Sequence, residues 1–234
     1  MLLALQSAGL SEEQSQHVWD KRPPGLLPSP THQRALVEWL QGELSTRDPV
    51  RSSYYCLLRE PRLMVRASRL DKLIHTRAAL SRLCGNPSAE RMASIISRQP
   101  KLLLASPAEL KEQALWLCEQ TSLPLREITS ALEVAPDLLL CSREGVTSRL
   151  EWMRDELRIV RGGKLGRVVR NAPLSLSLSI QRTMRPRVEW LASLGLTKED
   201  CGLIVLRSPK LLHLPRSQLQ SKLAWLERNH VATG

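Results

Sequence analysis

The chain has 234 residues, of which 42% are hydrophobic and only 3% aromatic, and it contains no Phe. Leu must therefore fill the interior, which favours helix–helix packing over sheets. The formal charge is +11, from 34 Lys and Arg against 23 Asp and Glu. Such an excess is typical of proteins that bind polyanions, although a role in solubility or an Arg-biased genome would also produce it.

Several classes of protein are disfavoured by the same composition. No run of 18 apolar residues is present, so no membrane span is expected. The apolar start, MLLALQSAGL, lacks the basic region and cleavage site of a signal or transit peptide. The number of cysteines is odd and none has CxxC spacing: Cys56, Cys84, Cys118, Cys141 and Cys201. This pattern predicts buried thiols in a reducing compartment, and we expect no disulfide, metal or cofactor.

The strongest pattern is a proline followed by leucines, which recurs along the chain from the first thirty residues to the last. Successive prolines are 37, 39, 36, 37 and 36 residues apart, at Pro24, Pro61, Pro100, Pro136, Pro173 and Pro209. A Trp follows five of them by 15 to 17 residues, at Trp39, Trp116, Trp152, Trp190 and Trp225. The spacing predicts about six repeats. We interpret the Trp position as core packing and not as base stacking.

Each repeat is predicted to contain two helices, so the fold class is all-α. In residues 88–99 the apolar side chains recur at helical spacing, and the helix must end before Pro100. Ser106-Pro107-Ala108-Glu109 then predicts a capping box that starts the second helix. Equivalent caps are expected at Ser29, Ser68, Ser142 and Ser179. Gly9-Leu10-Ser11 and Gly195-Leu196-Thr197 each predict the end of one helix and the start of the next.

Three segments depart from a regular array. Pro186 interrupts a second helix, which we expect to start near Arg185. The alternating residues 174–179 fall in the proline segment and are interpreted as a turn. Residues 3–10 match residues 190–196, so the array begins within a repeat. Because a solenoid end normally carries a polar cap, we expect a truncated or processed N-terminus, or a partner that covers it. Residues 1–234 are predicted to form one repeat domain.

This pattern resembles the mitochondrial transcription termination factor (mTERF) family over residues 1–228. Arg98-Gln-Pro100-Lys-Leu-Leu and Arg207-Ser-Pro209-Lys-Leu-Leu carry the resemblance most clearly, together with Trp190-Leu-Ala-Ser-Leu-Gly195-Leu-Thr. The resemblance implies a curved solenoid of repeats of 36–39 residues with a basic concave surface. It further implies a place in mitochondria, or alternatively chloroplasts. Binding of double-stranded DNA or organellar RNA in transcription, splicing or ribosome assembly is implied as well.

Two groups of cations are candidates for nucleic-acid binding. Arg recurs two residues before four of the repeat prolines, at Arg22, Arg59, Arg98 and Arg207, where it could form a ladder for phosphates or stabilise helix C-termini. Residues 157–187 contain eight basic residues and no acidic one: Arg158, Arg161, Lys164, Arg167, Arg170, Arg182, Arg185 and Arg187. Phosphate contacts through such a segment require no base reading.

The sequence leaves several functions open. A regulator of organellar gene expression, a structural rRNA-binding part of a mitochondrial ribosome, and a scaffold for an acidic protein all fit a basic solenoid. Gly162-Gly163-Lys164 resembles part of a phosphate loop, but the full motif is missing and we interpret it as a loop between helices. No catalytic motif is present, so we do not expect an enzyme. DNA versus RNA, the target sequence and the oligomeric state stay open.

Overall fold

A computed structural model describes residues 2–24, 28–44, 47–159 and 164–229. Helices account for the regular structure throughout these ranges, and no strand occurs in them. The chain divides into two compact units, Met1–Leu115 and Trp116–Gly234. The predicted all-α fold is therefore confirmed, whereas the single repeat domain stays a prediction.

The first unit is built around α3 and the turns that follow the prolines. Its core side chains, among them Leu36, Leu40, Leu57 and Leu80, are completely buried. Helix α3 packs against α1, α4 and α7. The helices are α1 (Leu2–Ser7), α2 (Glu12–Asp20), α3 (Pro30–Leu44), α4 (Pro49–Arg59), α5 (Arg62–Val65), α6 (Leu70–Leu83), α7 (Ala89–Arg98) and α8 (Pro107–Thr121), which continues past Leu115.

The second unit places α11 between α9 and α13. Val168 and Val169 of α11 are completely buried, as are Leu132 of α9 and Val205 of α13. The helices are α9 (Leu125–Val134), α10 (Arg143–Glu156), α11 (Lys164–Asn171), α12 (Arg185–Ala192), α13 (Lys198–Arg207) and α14 (Arg216–Arg228). Contacts of α11 with α9, α10 and α13 hold its apolar face inside the unit.

The proline segments form 3₁₀ helices rather than irregular turns. They span Pro100–Leu104, Pro136–Leu140, Pro173–Ser177 and Pro209–His213. The residue before each proline leaves the α region, as at Gln99 with φ −139° and ψ 65°, because the proline ring disfavours helix there. Each of these segments has at least one buried leucine two or three residues past its proline, namely Leu102, Leu138, Leu176 or Leu212, so these short helices belong to the core. After Pro61 the chain instead forms α5 and a 3₁₀ turn, Ala67–Arg69.

Most of the predicted caps are confirmed. The Ser106 hydroxyl accepts the Glu109 N–H at 3.2 Å, and the Ser106 N–H donates to the Glu109 carboxylate at 2.7 Å. The Ser142 and Ser179 hydroxyls accept the N–H groups of Gly145 and Arg182, without the reciprocal bond, and Ser11 and Thr197 each form a capping box. The Ser68 cap is wrong. Ser68 lies inside the 3₁₀ turn, and α6 follows on Arg69 without any side-chain cap, because the chain is already helical there.

The interruption at Pro186 is resolved by a π-helical turn. Helix α12 begins at Arg185 as expected, but the preceding residues Ile180–Met184 are π-helical and not irregular. Pro186 has no N–H to donate, so the regular ladder is broken there. In the wider turn, the Arg185 N–H donates to the Ile180 carbonyl five residues earlier. The π-helical turn therefore runs directly into α12, whose first turn contains Pro186.

The repeating Trp is only partly a core residue. Trp152 is 8% exposed, and Trp39, Trp116 and Trp190 are half-buried. Trp225 is 56% exposed, so the core interpretation is wrong at that position. It lies on α14, where Leu219 is the one buried residue and no later described helix packs over the Trp. The Trp that recurs at this position of the repeat is thus buried only where neighbouring helices pack over it.

Successive repeats are joined by hydrogen bonds to one recurrent carbonyl, five residues past the proline. The Thr76 hydroxyl donates to the Ala105 carbonyl at 3.0 Å. In the second unit, Arg149 donates to the Leu178 carbonyl at 2.5 Å, and Arg187 donates to the Leu214 carbonyl at 2.7 Å. These carbonyls follow the 3₁₀ helices and lack an intrahelical partner, so a side chain from the preceding repeat satisfies them.

Within the described ranges, none of the helices is long and apolar enough to span a lipid bilayer. No group of three or more His, Cys, Asp and Glu side chains that could hold a metal is found among the described residues. All five cysteines lie within the described ranges and none forms a disulfide; Cys56, Cys84 and Cys201 are buried. Burial raises the pKa of the Cys56 thiol to about 12, so this thiol stays protonated at neutral pH.

Candidate nucleic-acid interface

Helix α11 separates apolar and cationic side chains onto opposite faces. Leu165, Val168 and Val169 are buried, whereas Lys164, Arg167 and Arg170 are exposed. The three cations are spaced by three residues, which places them along one side of a helix. Eight residues of α11 thus present three positive charges to solvent while their apolar side chains anchor the helix in the core.

A close packing contact fixes how α11 lies in the unit. A Cβ added at Gly166 would lie 2.8 Å from the Thr121 carbonyl oxygen and 2.9 Å from a Leu123 methyl group. Only a glycine allows the helix to approach the main chain that closely. The cationic face is therefore held on a rigid element.

The charges on α11 are only partly compensated. Arg170 forms an ion pair with Glu127 of α9 at 3.4 Å. Lys164 and Arg167 have neither an ion-pair nor a hydrogen-bond partner for their side chains within the described ranges. Exposed ion pairs of this kind contribute about 0–1 kcal/mol to stability. The charges are thus available to an external anion at little cost to the fold.

Arg158 stands at the entrance to this segment. Its backbone adopts a left-handed conformation with φ 50°, which redirects the chain after α10. The exposed guanidinium lies 3.8 Å from the Glu199 carboxylate of α13. Arg161, another candidate, lies outside the described residues, as do Gly162 and Gly163 of the loop prediction. Lys164 is the first residue of α11.

The three arginines around the π-helical turn have different environments. Arg182 is exposed. Arg185 is half-buried, and its Nε has no hydrogen-bond partner in the described part of the chain. Arg187 donates to the Leu214 and Thr183 carbonyls at 2.7 and 2.5 Å, and burial lowers the pKa of its guanidinium. Arg187 therefore links two repeats, and only Arg182 resembles the residues of the α11 face.

The four arginines before the repeat prolines do not share one environment either. The Arg22 Cζ lies 3.4 Å from the centre of the Trp19 ring, and the guanidinium donates to the Trp19 carbonyl. Arg59 reaches from the end of α4 to the Ser97 carbonyl near the end of α7. Arg98 and Arg207 end α7 and α13, are exposed, and have no side-chain partner among the described residues. Arg22 thus satisfies a carbonyl of its own segment and Arg59 a carbonyl of another helix, while Arg98 and Arg207 are open to solvent.

A second set of cations was missed by the sequence analysis. Arg66, Arg69 and Lys72 line a cavity of about 490 Å³ in the first unit. Their spacing of three residues is the same as on α11, and it is the signal that could have revealed them. Asp71 lies within the segment, so this stretch of the sequence does not stand out as free of acidic residues.

The fold and the cationic faces together define an all-helical repeat protein with surfaces suited to polyanions. The model of the mTERF family matches residues 2–231, essentially the whole chain. The chain belongs to the mTERF family, as its resemblance indicated. Family membership implies a nucleic-acid-binding role in organellar gene expression, in mitochondria or chloroplasts. No curated protein matches the chain.

Proposed function

We propose that this protein binds the phosphate backbone of organellar nucleic acid through the exposed face of α11 and acts in transcription termination, transcription regulation or RNA metabolism. The single observation that carries the proposal is the segregation on α11, with Leu165, Val168 and Val169 buried opposite Lys164, Arg167 and Arg170. Such a helix has a fixed backbone, so only side-chain conformational entropy is lost when phosphates bind. The function proposed is one of binding, without a catalytic step.

The repeat architecture supports this proposal in a second way. A curved solenoid of about six repeats would set cationic helix faces along one surface. Arg98 and Arg207 are exposed at equivalent positions of their repeats and would each add positive charge to the surface of their own unit. Arg187 is not part of the proposed site, because its guanidinium is engaged by two carbonyls.

The test is a fluorescence-anisotropy titration at several salt concentrations with duplex DNA, single-stranded RNA and folded ribosomal RNA. The site variant is K164Q/R167Q/R170Q. The control R216Q/K222Q/R228Q removes three exposed charges from α14. We expect the site variant to reduce the log–log salt slope on duplex DNA by about 2.7, since each phosphate contact contributes about 0.9. The control should keep the wild-type slope.

Equal losses in both variants would contradict the assignment to α11 and would indicate an attraction to net charge alone. Absence of binding by the wild-type chain at low salt would overturn the proposed function and turn attention to protein partners. The ligand preference separates two roles. Tightest binding to folded ribosomal RNA, together with co-sedimentation with ribosomal subunits, would favour a structural part of a ribonucleoprotein over a regulator.

A further inference from the structure

A cavity in the first unit combines cationic and apolar walls. It measures about 490 Å³ and lies between the start of α6 and the segment that joins the 3₁₀ helix Pro100–Leu104 to α8. Arg66, Arg69, Lys72 and His75 from around the start of α6 line it, together with Leu103, Leu104 and residues 105–107 from the joining segment. This volume is within the usual range for small-ligand sites, about 300–1,000 Å³.

The cations around the cavity are not engaged elsewhere. Arg66, Arg69 and Lys72 are exposed, and their side chains have no ion-pair or hydrogen-bond partner within the described ranges. Glu109 is the one carboxylate among the lining residues, and it accepts the Ser106 N–H at 2.7 Å. Three unpaired cations against one carboxylate occupied by a backbone donor leave the cavity with an excess of positive charge.

Hydrogen bonds hold residues that line the cavity in place. The buried Thr76 hydroxyl donates to the Ala105 carbonyl at 3.0 Å, which ties α6 to the opposite wall. The His75 Nδ1 lies 2.7 Å from the Asp71 carbonyl, so the imidazole is held against its own helix. The cavity is therefore a built feature of the junction between two repeats.

We propose that this cavity is a second phosphate-binding site, separate from the α11 face, which takes one phosphate of a nucleic-acid strand together with its sugar. The cations would contact the phosphate oxygens, since guanidinium groups form forked hydrogen bonds to phosphate. The sugar would lie against the half-buried Leu104 and the exposed Pro107, which are apolar residues of the lining. The biological ligand rests on the proposed nucleic-acid-binding function.

The first experiment compares R66Q/R69Q/K72Q with the control K21Q/R82Q/K111Q, whose three residues are also exposed and lie outside the cavity. Both variants lose three charges. With duplex DNA, the cavity variant should bind roughly tenfold more weakly, because hydrogen bonds to charged groups are lost. Its salt slope should fall by about 0.9, the value for a single phosphate. The control should bind within about twofold of wild type. Unchanged thermal melting would show that both variants fold.

Other outcomes overturn the proposal. Equal weakening of the two variants would mean that the three cations at the cavity contribute no more to binding than three other exposed charges. A slope change near 2.7 would mean that the three cations contact three separate phosphates and do not converge on one. Both results would leave the α11 proposal intact, because that site is changed in neither variant.

The second experiment does not depend on nucleic acid. Inorganic phosphate is titrated into the wild-type chain and followed by amide NMR shifts. Saturable shifts centred on the amides of Thr76, Ala105 and Ser106, absent in R66Q/R69Q/K72Q, are expected. If the wild-type chain binds no nucleic acid but shows these shifts, the proposed function fails while the cavity site survives. Linear shifts spread over the surface would overturn the site.

Discussion

Gly202 of α13 lies against the end of α10, and we expect its replacement by Ala to destabilise the second unit. A Cβ built on Gly202 overlaps the carbonyl oxygen of Leu157, the residue that follows α10. Gly202 is buried. The obstructing atom belongs to the main chain and cannot rotate away as a side chain could, so one of the two helices must move.

The magnitude follows from two opposing effects. Ala is favoured over Gly inside a helix by about 1 kcal/mol. Overpacking a close-packed interior costs about 1–3 kcal/mol and occasionally more, and the overlap with a backbone oxygen places G202A at or beyond the upper end. We therefore expect a net loss of about 2 kcal/mol. For a chain of this size that corresponds to a decrease in Tm of about 4–8 °C.

The assay is thermal and urea unfolding of wild type, G202A and the control G42A. A Cβ added at Gly42 of α3 meets nothing within 4 Å, so G42A should increase stability by about 0.5–1 kcal/mol. Opposite signs in the two variants would separate the overlap from helix propensity. If G202A were as stable as G42A, the close approach of α13 to Leu157 would be refuted, and with it the packing that brings Glu199 to Arg158.

Three further predictions concern the hydrogen bond of Arg187 between repeats, the Cys56 thiol and the Ser106 cap. R187Q should destabilise the chain by roughly 2 kcal/mol, because it leaves the Leu214 carbonyl without its charged donor. The log–log salt slope of R187Q for nucleic-acid binding should equal that of wild type. A changed slope would mean that Arg187 does belong to the binding site. Burial raises the pKa of Cys56 to about 12. An unfolded thiol has its usual pKa near 9, so the unfolded chain loses a proton that the folded chain keeps. In urea unfolding between pH 9 and 12, C56A should therefore lose less stability than wild type, by up to about 1.4 kcal/mol per pH unit. Equal pH dependence would contradict this. S106A should cost about 1 kcal/mol in thermal melts by removing the acceptor for the Glu109 N–H, and an unchanged Tm would argue against the capping box.

Several helix ends could be predicted from local sequence alone. The end of α7 before Pro100 and the capping box at Ser106 depend on residues within a few positions of one another, and both are present in the structure. Steric restriction by proline and hydrogen bonding by a cap act over one helical turn. Ser68 shows where this fails, because the preceding turns of the second repeat were already helical.

The role of each cation depended on packing between distant parts of the chain. Arg167 and Arg187 belong to the same basic segment, yet one faces solvent and the other satisfies carbonyls of another turn and of the next repeat. Likewise, Trp152 is buried while Trp225 at the same phase is exposed. Spacing in the sequence determines which helix face a residue occupies, because helical geometry is local. Burial and the hydrogen-bond partner depend on which neighbouring helix covers that face, and only the tertiary structure specifies it.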